Sequence, residues 1–401
     1  MASRLHDRSP WRLEGDVSFL NHGAFGACPE PVLEAQRAWR DRMERQPVRF
    51  LARELESELD TARQEVALFL NADADGLAFV PNATAGVSTV LASLRFQPGD
   101  ELLACDHEYN ATLNALAEVA RAAGAAVVRV DLPLEIESGE QVLAALLAAV
   151  TPRTRLAMVS QVTSPTATLL PVADIVRELD TRGIDTLVDG AHAAGQVPVD
   201  IAALGAAYWT ANGHKWLCGP KGSAVLHVRA DRRAAVRPLI VSHGWNDPRP
   251  ERLRLWKEFD WTGTVDPTAY LALPEAIRLV GRMHPGGWPG VMAANHDLVI
   301  QGRDTIAVAL GVTTRVPAGL HGSMAIVPLP LPARDDAILA LKAALMDEDR
   351  IEVPITAFPV PAARRRPGDA PEAAAVRISA QLYNEAADYE RLAAALARRL
   401  P

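Results

Sequence analysis

Between about residues 70 and 230, short apolar runs alternate with amphipathic stretches. The runs "LAFV", "ELLAC", "AVVRVDL", "RLAMVSQV", "DTLVD", "AAYWTA" and "SAVLHV" are aliphatic and bounded by turn formers, the pattern of buried strands. Between them, "TAGVSTVLASL", "ATLNALAEVARAAG", "QVLAALLAAV" and "VADIVRELDTRG" repeat apolar positions at helical spacing. Parallel strands need helical crossovers, so this alternation predicts a mainly parallel sheet with helices on both faces. Beyond about residue 285 the pattern changes to a long helix near 289–311, a strand "SMAIVPLPL", a helix "DDAILALKAALMDE", a strand "AAAVRIS" and a closing helix from about 385. That succession predicts a smaller α+β unit. The stretch "DVSFLNHGAFGACPEPVLEAQRAW" reads as a strand, a glycine-rich turn and a helix starting near Pro31. The predicted class is α/β, with a large domain over 26–280 and a small domain formed by 1–25 and 281–401.

Composition narrows the function. Of 401 residues, 49% are hydrophobic and 22% charged, which suits a soluble globular chain. The formal net charge of −8 repels polyanions, so nucleic acid is not an expected partner. The basic run Arg364 to Arg366 lies among Pro361, Pro367 and Gly368 and reads as a solvated loop, with anion binding as the alternative. Cys28, Cys105 and Cys218 are odd in number and lack CxxC spacing, which argues against a disulfide framework or structural zinc. His214, Cys218 and His192 are too weak a pattern for a metal site, so none is expected. The start "MASRLHDRSPW" lacks the apolar core of a signal peptide, and no apolar run approaches a membrane span. The expected location is the cytoplasm.

Chemistry gathers where strands end. In "FVPNATAG" a strand runs into a helix start at Asn82, Ala83 and Thr84, which offers N–H groups and a hydroxyl to a phosphate; Thr84 as a simple cap is the alternative. In "TLVDGAHAAG", Asp189 closes a buried strand, where a carboxylate calls for a cation such as a protonated pyridine. A turn cap would serve the same sequence. One strand-forming run later, "ANGHKWLCGPKG" places Lys215 after Asn212 and His214, at the same sheet edge as Asp189. An amine there can bind a carbonyl compound covalently. Together the three turns read as a pyridoxal 5'-phosphate (PLP) site: Lys215 for covalent attachment, Asp189 for the pyridine nitrogen, Thr84 for the phosphate. Lys221 reads as a surface lysine, and Trp216 as packing.

These motifs, with "FLNHGAFG", "DHEY", "FDWTGTVDPT" and "VRISAQLYN", resemble the class V aminotransferase group of fold-type I PLP enzymes over essentially the whole chain. Within that group the motifs resemble the isopenicillin N epimerase-like branch. The resemblance implies that His107 stacks on the cofactor ring, with Tyr109 as an aromatic competitor and substrate contact. It implies phosphate contacts from Thr84, Asn212 and His214, and places His192 near the cofactor's 3-oxygen. Thr264 matches a residue donated to the neighbouring subunit's phosphate, so a homodimer is implied. Arg377 matches the arginine that holds the substrate α-carboxylate, with an outward surface ion pair as the alternative. Asn21 and His22 fall in the segment that closes over the substrate, and His22 is a candidate second base.

The implied activity is PLP chemistry at Cα or Cβ of an amino acid or amino-acid conjugate: epimerisation, C–S β-elimination or transamination, with a cysteine desulfurase-like lyase as a further alternative. Cysteine desulfurases use a mobile-loop cysteine, and the region 351–376 contains none. A cofactor- or amino-acid-binding sensor is the non-enzymatic alternative. Trp245, Asn246 and Trp256, in the poorly patterned segment 241–262, are candidates for lining the substrate pocket.

Overall fold

The computed structural model describes residues 7–358 and 373–401; Arg364 to Arg366 lie outside the described residues. Twelve strands are described in chain order: Ser18–Phe19 (β1), Leu77–Val80 (β2), Glu101–Cys105 (β3), Ala126–Val130 (β4), Thr154–Ser160 (β5), Asp185–Asp189 (β6), Tyr208–Asn212 (β7), Ala224–Val228 (β8), Met324–Leu329 (β9), Ile351–Glu352 (β10), Ile355–Phe358 (β11) and Ala373–Ser379 (β12). The seven apolar runs of the first half form one sheet in the order β2-β8-β7-β6-β5-β3-β4. Neighbours from β7 to β4 pair in parallel, while β8 lies antiparallel to both β7 and β2. The sheet is therefore mainly parallel, as expected.

Strand alternation explains why these runs are apolar throughout. Leu103, Cys105, Ala157, Val159, Val188 and Trp209 enter the core on one face. Their chain neighbours Leu102, Ala104, Leu156, Met158, Leu187 and Tyr208 enter a second core on the other. A sheet buried on both faces needs apolar side chains at every position. The second core is bordered by Arg63, a fully buried cation paired with Asp60 and Asp260 at 2.5 Å each and lying over the Trp256 ring at 4.4 Å.

β9, β11 and β12 form a separate antiparallel sheet in the order β11-β12-β9. Ala325, Val327, Val376 and Ile378 pack with Val299 and Ile306 of the helix Gly287–Leu310 and with Tyr389 and Leu392 of the helix Ala386–Arg399. Met324, Ile326 and Ala375, on the opposite face, join the core of the large sheet. Arg377 pairs with Ile326 and shares that inward face by strand alternation. The N-terminal segment crosses between the two sheets: β1 pairs with β10, and Leu20 enters the small-sheet core. The helix Leu273–Arg282 carries the chain through residue 280 without interruption.

Candidate active site

β2, β3, β5, β6 and β7 run in one direction, so their carboxyl ends share one edge, where open α/β sheets bind ligands. The turns after them line a cavity of about 120 Å³ that contains Asn82, Ala83, Thr84, Tyr109, Ser160, Asp189, His192, Asn212, His214 and Lys215. Asp189 pairs with Ser160 on one side and Thr210 on the other, which fixes the carboxylate beside the strand that leads to the lysine. The Lys215 amine lies 2.9 Å from His192 Nε2.

The phosphate-type turn is built from both sides. Asn82, not Thr84, caps the helix Ala83–Ser93, because its side-chain oxygen accepts the Ala85 N–H at 2.8 Å. The cap role is thus filled, and Thr84 is left to line the cavity. Val80 and Asn212 both pair with Ala224, so they stand level across β8. From there the Asn212 side-chain oxygen accepts the Ala83 N–H at 2.9 Å and fastens the helix start to β7. His214 lines the same end, and its buried Nδ1 has no partner among the described residues.

Burial dominates the electrostatics. It pulls the Lys215 amine from the ordinary 10.5 to about 7, with Arg377 adding to the pull and Asp189 opposing it. Burial raises the Asp189 carboxyl, against the Ala191 N–H and the Lys215 charge. His192 falls well below its usual range through burial and the Lys215 charge, and His214 falls to about 4. Arg377 is also buried, which lowers it to about 10; its guanidinium bonds the Ser164 carbonyl at the cavity rim, and Nε has no partner among the described residues. The surface ion-pair alternative for Arg377 therefore fails.

Several expected residues lie elsewhere. His107 is buried outside the cavity lining, with Nδ1 2.6 Å from Thr166 Oγ1 and its ring 4.6 Å from Phe358. Tyr109 lines the cavity instead. His22 sits behind the lysine, not over it: Nε2 is 3.1 Å from the Lys215 carbonyl oxygen, Nδ1 is 2.9 Å from the Tyr383 hydroxyl, and burial lowers the ring to about 3. In this placement His22 does not line the cavity. Asn21 donates to Glu352 at 2.8 Å, while Ala24 and Phe25 are the members of its segment that line the cavity. Gly26, at φ +69°, lets this segment press against the His214 and Lys215 backbone, where a Cβ would collide with the His214 carbonyl. Thr264 is exposed and outside the cavity. Trp245 is exposed and lies near Arg237, and Trp256 packs between Arg63 and Arg252, so neither they nor Asn246 line this pocket. Lys221 is a surface residue whose amine reaches back to the Gly26 carbonyl at 2.9 Å.

Sequence reasoning passed over Phe25, Ser160 and Glu108. Glu108 is fully buried behind β5, accepts the Ser160 N–H at 3.0 Å and the Ser160 hydroxyl, and is pushed to about 7 by burial. The polar residues of "MVSQVTS" at the end of β5 were the available signal.

A helix start with an unpartnered imidazole nitrogen, a buried carboxylate and a desolvated amine fit the phosphate, the pyridine nitrogen and the aldehyde carbon of PLP, respectively. Comparisons with known proteins place the chain in a family. The chain is 35% identical over 404 residues to putative L-cysteine desulfhydrase 1 of Oryza sativa subsp. japonica, covering 94% of this chain and 82% of that protein. It is 35% identical over 398 residues to isopenicillin N epimerase of Amycolatopsis lactamdurans, covering 96% and 95%. Its fold matches a solved mutant of C-DES, with glycine covalently linked to its PLP cofactor, at a TM-score of 0.79 and 22% identity, covering 98% of this chain and 99% of that one. The model of aminotransferase class-V matches residues 19–392, and the chain belongs to that family.

Proposed function

We propose that this protein is a PLP-dependent enzyme that removes the α-proton of an amino acid or amino-acid conjugate and, as the favoured outcome, eliminates a sulfur group from Cβ. The observation that carries the reading is the Lys215 amine at the strand-end cavity, 2.9 Å from His192 Nε2 and with Asp189 in the same lining. PLP, when bound, supplies the electron sink for the pair left at Cα. Lys215 attaches the cofactor and afterwards accepts the α-proton, a role suited to an amine that is partly neutral near pH 7. Asp189 keeps the pyridine nitrogen protonated. Thr84 and His214 hold the phosphate, and Asn212 holds the helix start that receives it. Arg377 would take the substrate carboxylate, and Tyr109, which lines the cavity, would be the aromatic residue available to the cofactor ring.

Elimination needs one base, whereas epimerisation needs one on each face of Cα. The placement of His22 behind the lysine favours elimination. Epimerisation is the second reading, with the cavity-lining Tyr109 as the other acid. Persulfide transfer, the cysteine desulfurase-like alternative, would need a cysteine at the cavity, and among the described residues Cys28, Cys105 and Cys218 are buried outside its lining. Incubation with L-cysteine and cysteine S-conjugates in deuterated water separates the outcomes. Pyruvate with ammonia indicates elimination; deuterium at Cα with inverted configuration indicates epimerisation; neither product, in protein that binds PLP, refutes both.

The enzyme works as a homodimer, with Thr264 reaching the partner's phosphate turn. Exposed Leu239, Ile240 and Val265 line an apolar cavity of about 330 Å³ that also includes Pro81 and Ala85, next to Thr84. A monomer in sedimentation velocity runs would overturn this assembly. The unpaired cysteines suit the reducing cytoplasm.

A further inference from the structure

The residue after the lysine was expected only to pack. Trp216 is fully buried, yet its indole nitrogen lies 3.4 Å from His192 Nδ1. The other face of the same imidazole meets the Lys215 amine, Nε2 to Nζ, at 2.9 Å. We propose that Trp216 is a positioning residue for Lys215: its N–H fixes His192 in the tautomer that carries its proton on Nε2, and that proton is donated to the lysine nitrogen. This inference rests on Lys215 being the cofactor-binding amine.

The argument is one of counting protons. An indole nitrogen only donates, so Nδ1 must accept. A neutral imidazole carries one proton, which is then on Nε2. An N–H aimed at Lys215 needs a lone pair to receive it, and an ammonium group has none. The tautomer therefore favours the free amine, the form that attacks an aldehyde. Neutrality of His192 follows from its surroundings: it is buried, and Lys215, Arg377, His214 and His22 face it from the lysine loop, β12 and the N-terminal segment, so a further positive charge is disfavoured. Asp189 of β6 is the acidic group near the amine and acts in the opposite sense on Lys215.

The scaffold holds both partners of this contact. The His192 carbonyl accepts the Gln196 side-chain N–H at 2.5 Å, and Gln196 in turn accepts the Ser323 N–H at 2.9 Å. The Trp216 ring is backed by His22 at 4.9 Å between centroids. A phenylalanine at position 216 keeps that packing and removes only the donor.

The test uses full-length, cofactor-free protein labelled with 15N-histidine, with the His192 signals assigned by their loss in His192→Gln. Long-range 15N–1H correlation in the wild type is expected to show the proton on Nε2. In Trp216→Phe the population shifts toward the Nδ1–H form, and attachment of added PLP at neutral pH slows roughly tenfold. A wild-type spectrum with the proton on Nδ1, or a Trp216→Phe protein with unchanged tautomer and attachment rate, overturns the proposal. If the variant does not fold, the wild-type spectrum decides. Failure of wild-type protein to attach PLP at all strikes the cofactor assignment instead, because the tautomer is read without cofactor.

Discussion

Replacing Lys215 by methionine should make the cofactor-free protein more stable, and the gain should fade as pH rises. Methionine keeps the length and apolar stem of lysine and removes the amine. The buried amine titrates at about 7 rather than the ordinary 10.5. At about 1.4 kcal/mol per pH unit, that gap is a penalty of about 5 kcal/mol for holding the charged form, which relaxation and water reduce to about 2–3 kcal/mol. The sign follows from proton counts. Below about pH 7 both folded and unfolded chains are protonated and the folded one bears the whole penalty. Between about 7 and 10.5 the amine is protonated in the unfolded chain and increasingly neutral in the folded one, so this penalty disappears as pH rises. His192, His214 and His22 are lowered by burial and stay neutral through this window, and groups common to both proteins, such as the buried thiols that burial raises, cancel in the difference, so the pH dependence of the difference belongs to Lys215. Urea denaturation of both proteins at a series of pH values measures it. A stability difference that does not change with pH, or a wild type more stable than Lys215→Met under mildly acidic conditions, refutes the reasoning.

Two further changes test the phosphate turn and the scaffold. Thr84→Val should weaken PLP binding roughly 10- to 100-fold in a fluorescence titration, the scale of one hydrogen bond to a charged group; unchanged affinity removes Thr84 from the phosphate site. Arg63→Met should cost about 3 kcal/mol of stability by leaving Asp60 and buried Asp260 short of a cation, although Arg252 still bonds Asp260 at 2.6 Å. Thermal unfolding reports the loss, and a melting temperature equal to wild type contradicts it.

The large sheet and the groups at its edge were legible because strand periodicity and strand ends are local features. Lys215, Asp189, Thr84, Asn212 and His214 each end or follow a strand of one direction, and the sheet carries them to one edge. Residues on very short elements were not legible in this way. The helix His22–Phe25 is a single turn that sends His22 inward and Phe25 to the cavity, and a single turn leaves no periodicity in sequence. His107 and Tyr109 are both in the turn after β3, and only the approach of Thr166 and Phe358 shows that His107 is occupied elsewhere. Thr84 and Asn82 are both capable caps, and the choice between them depends on which hydroxyl or amide reaches the Ala85 N–H. Arg377 was readable as a clamp or as a surface residue until its register with Ile326 set its face.

The support behind Lys215 has a consequence for how the enzyme is made. His22 bonds the Lys215 carbonyl and the Tyr383 hydroxyl, and the Ser379 N–H donates to the Leu20 carbonyl. During synthesis on the ribosome, residues 18–26 emerge long before residues 351–383, to which they bind. At about 5–20 residues per second, they wait for roughly 20–70 s without their partners. The seven-stranded sheet can pair while translation continues, but the rear wall of the lysine is assembled last. Chains released early would thus hold the strand-end turns and lack the contacts behind the lysine.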